Sequence, residues 1–225
     1  STVSHELRTP LSSIYGFTEL MLKRDLDPAR NKRYLQTIHD ESKRLTDLVS
    51  DFLNVQRMES GRQSYEKEVF DLIDTVREQT RFYQAATEKH RLQLDVDEAH
   101  EFLVNADKNS MKQLIGNLVN NAIKYSPDGG DVVISLTHHH NQIELSVRDF
   151  GLGIPSSAMP HLFSKFYRVD NSDSRKIGGT GLGLSICKEI VRAHDGNIDV
   201  ESILGEGTVF KVLLPSVSDT LIEMD

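Results

Sequence analysis

The chain has 225 residues, 38% hydrophobic and 27% charged, with a formal net charge of −8. That length allows one or two domains with a buried core, and the acidic balance argues against general nucleic-acid binding. No run approaches the roughly 18 consecutive apolar residues of a membrane span. The single cysteine, Cys187, excludes an internal disulfide and a cysteine-based zinc site, fits a reducing compartment, and sits among apolar neighbours as a small core residue would.

Two helices account for the first sixty residues. Leu7, Leu11, Ile14, Thr18 and Met21 recur at steps of four and three, an apolar stripe interrupted by Thr18. Asp27-Pro28 reads as an N-cap followed by proline at the first helical position. Leu35, Ile38, Leu45, Leu48, Val49, Phe52 and Val55 make a second stripe of near-heptad spacing, with Lys32, Arg33, Asp40, Lys43 and Arg44 on the outer face. Ser60-Gly61 supplies the stop. A hairpin with so narrow a stripe cannot bury its apolar face alone, so the expectation is a four-helix bundle made by two copies, a homodimer.

Residues 61–69 are polar and break the periodicity. The chain is therefore divided into a helical hairpin over 1–62, a second domain over 63–217 and a tail over 218–225. In the second domain, 71–89 and 107–125 read as helices, the latter opening on an acidic cap. Residues 92–96 alternate as a strand, and 101–106 is another candidate. Two further strand patterns, 132–136 and 143–147, flank the hairpin turn His138-His139-His140-Asn141, where consecutive histidines point in different directions and read as a surface loop. Helix 181–194 and strands 197–202 and 208–214 complete an α+β sandwich of two layers with a mostly antiparallel sheet.

Several segments carry chemistry. Asn117, Asn121 and Lys124 stand at i, i+4 and i+7, on one helix face. An amide oxygen there suits Mg2+ when phosphate oxygens supply the negative charge. Asp149, followed by Gly151 and Gly153, ends a strand with a carboxylate able to accept from an exocyclic amine, beside backbone that can approach a flat ring. Gly179-Thr180-Gly181-Leu182-Gly183 leads into a helix whose free N–H groups attract anions. It has neither P-loop spacing nor a preceding strand of a dinucleotide fold. Between these glycine segments lie Phe163-Ser164-Lys165-Phe166-Tyr167-Arg168 and a polar run, 170–176, whose composition predicts mobility. Near the start, His5 is followed by Glu6, which can hold one ring N–H and sharpen the other nitrogen as a nucleophile. Pro10 loosens the helix just beyond.

The motifs Ser4-His5-Glu6-Leu7-Arg8-Thr9-Pro10, Asn117 to Tyr125, Asp149 to Gly153, Gly179 to Gly183 and Gly205-Glu206-Gly207-Thr208, in this order, resemble the catalytic core of sensor histidine kinases over about residues 1–215. The resemblance implies a dimerisation and phosphoacceptor hairpin followed by a Bergerat-type ATP-binding domain. It implies autophosphorylation of His5 with Glu6 as base, transfer to an aspartate of a response regulator receiver domain, and a phosphatase activity in which the Thr9 hydroxyl orients water. By the same resemblance Asn121 ligates Mg2+ and Asn117 organises it. Lys124 and Tyr125 contact ATP, Asp149 reads the adenine amine with support from Thr208, and Gly151, Gly153, Gly179, Gly181, Leu182 and Gly183 line the nucleotide. Phe163 and Phe166 anchor a lid over 170–176, and Arg168 reaches the phosphates. The chain begins at Ser1, four residues before His5, and the resemblance places a sensor module upstream. It implies a cytoplasmic core whose parent could be anchored in a bacterial inner membrane.

Two other readings fit fewer residues. An ATP-driven machine of the same nucleotide fold would carry glutamate where Asn117 stands, to activate water. A non-catalytic scaffold predicts decayed nucleotide motifs, and these are intact.

Overall fold

The computed structural model describes residues 2–97, 99–169 and 179–217. Helices α1 (Thr2–Lys23) and α2 (Pro28–Glu59) pack side by side as a hairpin. The Asp27 carboxylate caps α2 by accepting from the Arg30 N–H at 2.9 Å, and Gly61, at φ +65°, follows the closing Ser60 cap. Helix α1 continues through the buried Pro10, which has no N–H to offer the Glu6 carbonyl. No helix among the described residues is long and apolar enough to cross a membrane.

The α2 stripe is shared between two neighbours. Leu48 and Val55 are buried, Val55 joins the main hydrophobic core, and α2 packs on a helix of the second domain. Much of the hairpin remains uncovered: Leu11, Tyr15, Leu22 and Leu35 are 57%, 68%, 88% and 54% exposed.

The second domain has two layers. Strands β2 (His90–Val96), β4 (Gly130–His139), β5 (Gln142–Asp149), β7 (Gly207–Pro215) and β6 (Asn197–Ile203) form one sheet in that order. Only β2 and β4 run parallel in it. Helices α3 (Leu72–Ala85), α4 (Lys108–Lys124) and α5 (Gly183–Ala193) pack on it. The polar segment after the hairpin contains a strand that periodicity does not reveal: β1 (Lys67–Asp71) pairs with β3 (Leu103–Asp107) outside the main sheet. Three of its five residues are exposed, so no alternation marks it. A 3₁₀ turn at Ser156–His161 was equally unmarked. Helix α3 stops at Ala85, short of the expected 89, because Thr87 and His90 turn the chain into β2 through a 2.8 Å hydrogen bond.

Strand register positions everything that follows. On β5 the inward residues are Ile143, Leu145, Val147 and then Asp149; on β7 they are Thr208, Phe210, Val212 and Leu214. Asp149 pairs directly with Thr208. The two apolar stripes thus end, at one edge of the core, in a buried polar pair, since alternate residues share a face.

His194 closes α5 as a buried neutral imidazole. Its Nδ1–H donates to the Ile190 carbonyl at 2.7 Å, and Nε2 accepts from the Asp107 amide at 3.0 Å, tying α5 to the β3–α4 junction. Burial lowers its pKa below the ordinary 6.5. A depressed folded-state pKa gives stability that is complete above the unfolded value and lost as pH falls toward the folded one. His194→Leu should therefore cost about 1–3 kcal/mol at pH 8 by leaving the Asp107 amide unpaired. It should also flatten the decline in urea midpoint between pH 8 and 5; an unaltered decline would remove His194 from the acid response.

Candidate functional site

The polar face expected on α4 lies at the junction of two cavities. The larger, about 660 Å³, is lined by Asn117, Asn121, Lys124, Arg168, Gly179, Gly181 and Gly183. The smaller, about 70 Å³, is lined by Asp149, Gly153, Ile154, Thr208 and Phe210. Asn121, Tyr125, Tyr167 and Arg168 border both, so the two form one elongated site.

The small end is the buried polar pair. Asp149 and Thr208 are each only 5% exposed. Asp149 Oδ1 accepts from the Gly151 amide at 3.0 Å. Burial raises the Asp149 carboxyl above its ordinary pKa, while the Gly151 and Thr208 amides pull it back. Thr208 Oγ1 lies 2.9 Å from the hydroxyl of Ser202 on β6, which donates to the Gly207 carbonyl and accepts from the Ile154 amide, each at 2.8 Å.

The glycines here answer first to protein backbone. A Cβ on Gly151 would stand 2.0 Å from the Tyr125 carbonyl oxygen, and one on Gly153 equally close to that of Ile203. Gly153 also has φ +62° and lines the small cavity. Gly151 lines neither cavity; it lets the turn after β5 settle on the end of α4, where the Leu152 amide donates to the Tyr125 carbonyl at 2.9 Å.

At the large end, Gly179 has open space around its Cα, and Gly183 meets α4 through the Asn117 side-chain amide, which donates to its carbonyl at 3.4 Å. Leu182 is fully buried, so its part is to fix the start of α5. Gly181, at φ +70°, packs against Phe166, a non-glycine residue itself at φ +61°. That strained conformation is held by the Phe166 amide donating to the Gly181 carbonyl at 2.9 Å. The Phe166 ring lies 6.2 Å from that of Phe52 on α2, and Phe163 packs on the main core.

Helix α2 closes the large end. Asp40, Lys43 and Arg44, expected on an outer face, line the cavity together with Asp47 and Asp51. The Thr180 hydroxyl donates to Asp51 at 3.0 Å, and Lys165 pairs with Glu59. Desolvation raises the Asp51 carboxyl, with Asp47 adding to the rise. Lys124 is lowered by desolvation and by Arg168, against the pull of Asp51 and Asp47.

His5, Glu6 and Thr9 stand apart. All three are on α1 and line neither cavity; His5 and Thr9 are exposed, and Thr9 donates to the His5 carbonyl at 3.2 Å. The polar run 170–176 and the tail 218–225 lie outside the described residues. Of the histidines expected in a surface loop, His138 and His139 belong to β4, and His138 is turned onto the Glu101 carbonyl and stacks on Phe102. The residues at the cavities to which motif reading gives no role are Ser202, Thr180 and the carboxylates of α2. Ser202 sits six positions before Thr208 on the adjacent strand, and Asp47 and Asp51 share an i, i+4 spacing, but neither pattern signals chemistry on its own.

Residues 106–218 match the family described as histidine kinase-, DNA gyrase B- and HSP90-like ATPases, and residues 1–61 match the His Kinase A phospho-acceptor domain. The chain is 36% identical to the sensor protein SrrB of Staphylococcus aureus over 96% of its own length and 37% of the relative's. It is 34% identical to the sensor histidine kinase WalK of Bacillus subtilis, covering 96% of this chain and 36% of WalK. It thus spans little more than a third of those relatives. Among solved structures, histidine kinase ThkA in complex with response regulator protein TrrA is similar at 29% identity and TM-score 0.78, over 96% of this chain and 60% of that one. Acinetobacter baumannii histidine kinase AdeS, at 23% identity and TM-score 0.76 over 95% of this chain and 98% of that one, shares the fold.

A raised carboxyl pKa stabilises a fold only below the unfolded-state value, and that contribution is lost as pH rises through the folded one. Above the folded-state value, where it is ionised, the buried Asp149 is accordingly a cost. Asp149→Asn should leave the thermal midpoint of the ligand-free protein at pH 7.5 unchanged or raise it; a clear fall would mean that the carboxylate holds the turn together.

Proposed function

We propose that this chain, which belongs to the histidine kinase family and comprises its phospho-acceptor hairpin and ATPase-like domain, is an ATP-dependent protein-histidine kinase that phosphorylates itself on His5 and passes the phosphoryl group to an aspartate of a response regulator. The observation that carries the reading is the continuous site running from the buried acceptors Asp149 and Thr208 to the amides and cations of Asn117, Asn121, Lys124 and Arg168. One end suits a base bearing an exocyclic amine, the other a chain of phosphates. The phospho-acceptor hairpin and the ATPase-like domain divide at about residue 62, and α2 of the hairpin walls the large end of the cleft.

The roles follow from chemistry. Asn121 and Asn117 offer neutral oxygens, which suit Mg2+ held largely by phosphates; the ion would offset phosphate charge. Lys124 and Arg168 add fixed positive charge, and the glycine-flanked start of α5 presents backbone N–H groups to phosphate oxygens. The exposed imidazole of His5 attacks the γ-phosphorus through the ring nitrogen that keeps its lone pair. A nitrogen–phosphorus bond forms as the bond to ADP breaks, and Glu6 takes up the proton of the other ring nitrogen. An amide at Asn117 cannot deprotonate water, which favours transfer to histidine over hydrolysis. Because His5 lines neither cavity in the described arrangement, transfer requires the nucleotide domain to leave its seat on α2. The uncovered apolar residues of the hairpin support a homodimer, and the complex of the relative ThkA with TrrA supports a response regulator as the phosphate acceptor. The Thr9 hydroxyl, one turn from His5, supports the further reading that the same hairpin dephosphorylates its regulator. A sensor module upstream and a cytoplasmic position for this core complete the reading.

Incubation with γ-labelled ATP and Mg2+ tests it. Acid-labile, alkali-stable label should appear on the parent chain and vanish in His5→Gln, whose affinity for ATP should persist. Comparable label on the variant would place the nucleophile elsewhere. Asp149→Asn should weaken ATP binding by about 1–3 kcal/mol, the scale of a charge-assisted hydrogen bond. Thr9→Ala should keep its own label while the phosphorylated regulator persists longer in its presence. Equal loss of both activities would make Thr9 a structural support of the turn before Pro10.

A further inference from the structure

The hydroxyl of Ser202 has one proton and two lone pairs, and all three are committed. Its proton goes to the Gly207 carbonyl at 2.8 Å, because a carbonyl can only accept. One lone pair receives the Ile154 amide proton at 2.8 Å, because an amide can only donate. The remaining contact is with Thr208 Oγ1 at 2.9 Å, and Ser202 has only a lone pair left for it. The Thr208 proton must therefore point at Ser202. Its oxygen is left with lone pairs alone for the small cavity, which Thr208 lines opposite Asp149.

We propose that Ser202 is a positioning residue for nucleotide specificity: by fixing the Thr208 hydroxyl as an acceptor, it makes the buried Asp149–Thr208 pair at the base-binding end a pair of acceptors that selects a purine with a 6-amino group. The inference rests on the reading of this cavity as the base site of an ATP-binding cleft. Asp149, when ionised, can only accept, and a locked Thr208 can only accept as well. Adenine offers two amine protons at that edge. Hypoxanthine and guanine instead offer at that edge one ring proton, on N1, and a carbonyl oxygen at position 6, so at most one of the two acceptors is matched and the oxygen finds no donor in either side chain. A free threonine rotor would relax this, since it could turn its proton toward the carbonyl. Ser202 forbids that rotation. Its amide partner, Ile154, also lines the cavity, so the same hydroxyl holds one wall in place.

The test measures equilibrium affinity of the whole chain for ATP and for inosine triphosphate, which differs from ATP only at position 6 and the adjoining ring nitrogen, by displacement of a fluorescent nucleotide in the presence of Mg2+. In Ser202→Ala the preference for ATP over inosine triphosphate should fall about 3- to 10-fold, the worth of one neutral hydrogen bond. Ser202→Thr, which restores the hydroxyl, should return it to the parent value. Equal weakening of both nucleotides in Ser202→Ala, or no change in either, would overturn the proposal, because a merely structural serine does not alter a ratio. Thr208→Val removes the hydroxyl while keeping its shape, and should lower the same preference. A parent-like preference in that variant refutes the proposal even where Ser202→Ala does not fold. Failure of the parent chain to bind ATP at all would refute the nucleotide reading itself, and the inference with it.

Discussion

The register between β5 and β7 is the constraint on which the site depends. Alternate residues of a strand share a face, so a stripe that buries Ile143, Leu145 and Val147 must carry its next member, Asp149, into the same core. The partner strand does the same with Thr208 beyond Phe210 and Val212. A slip of one residue in either strand would turn its stripe outward and break up the polar pair in the cavity. The fold and the polar lining of the small cavity are thus set by one set of backbone bonds, and the buried carboxylate is tolerated because two backbone amides approach it.

A second constraint acts at the other end. Asn117, Asn121 and Lys124 are spaced along α4, and the glycine-rich start of α5 comes close enough for Asn117 to reach the Gly183 carbonyl. The far wall, however, belongs to α2. Phe52, Asp51 and Glu59 of α2 meet Phe166, Thr180 and Lys165 of the nucleotide domain. The hairpin therefore does more than present a histidine; it supplies a wall to the cavity and takes the Val55 side chain into the common core.

Most of the fold was legible because its signals are local. The caps at Asp27 and Asp107, the α4 helix, and the alternation of β4, β5 and β7 lie where periodicity and turn chemistry place them. What escaped was non-local or unpatterned. Strand β1 shows no alternation because most of it faces solvent. The outer face of α2 reads as a solvated surface because its cover comes from residues more than a hundred positions away, as in the pairing of Asp51 with Thr180. Asn117, Asn121, Lys124, Asp149 and Thr208, drawn from segments far apart in the sequence, line the two adjoining cavities. Gly151 lies against the Tyr125 carbonyl and Leu182 is buried at the start of α5. Ser202 carries no motif of its own, and its importance comes from counting protons among three neighbours rather than from spacing.

In the proposed function the two cavities are one nucleotide site, with its base end at Asp149 and its phosphate end at Asn121. A structure of the chain with Mg2+ and a non-hydrolysable ATP analogue tests this most directly. The predicted result is the adenine amine within hydrogen-bond reach of Asp149, with the phosphates and metal beside Asn121 and Lys124. An analogue bound in the reverse sense, or outside both cavities, would contradict it.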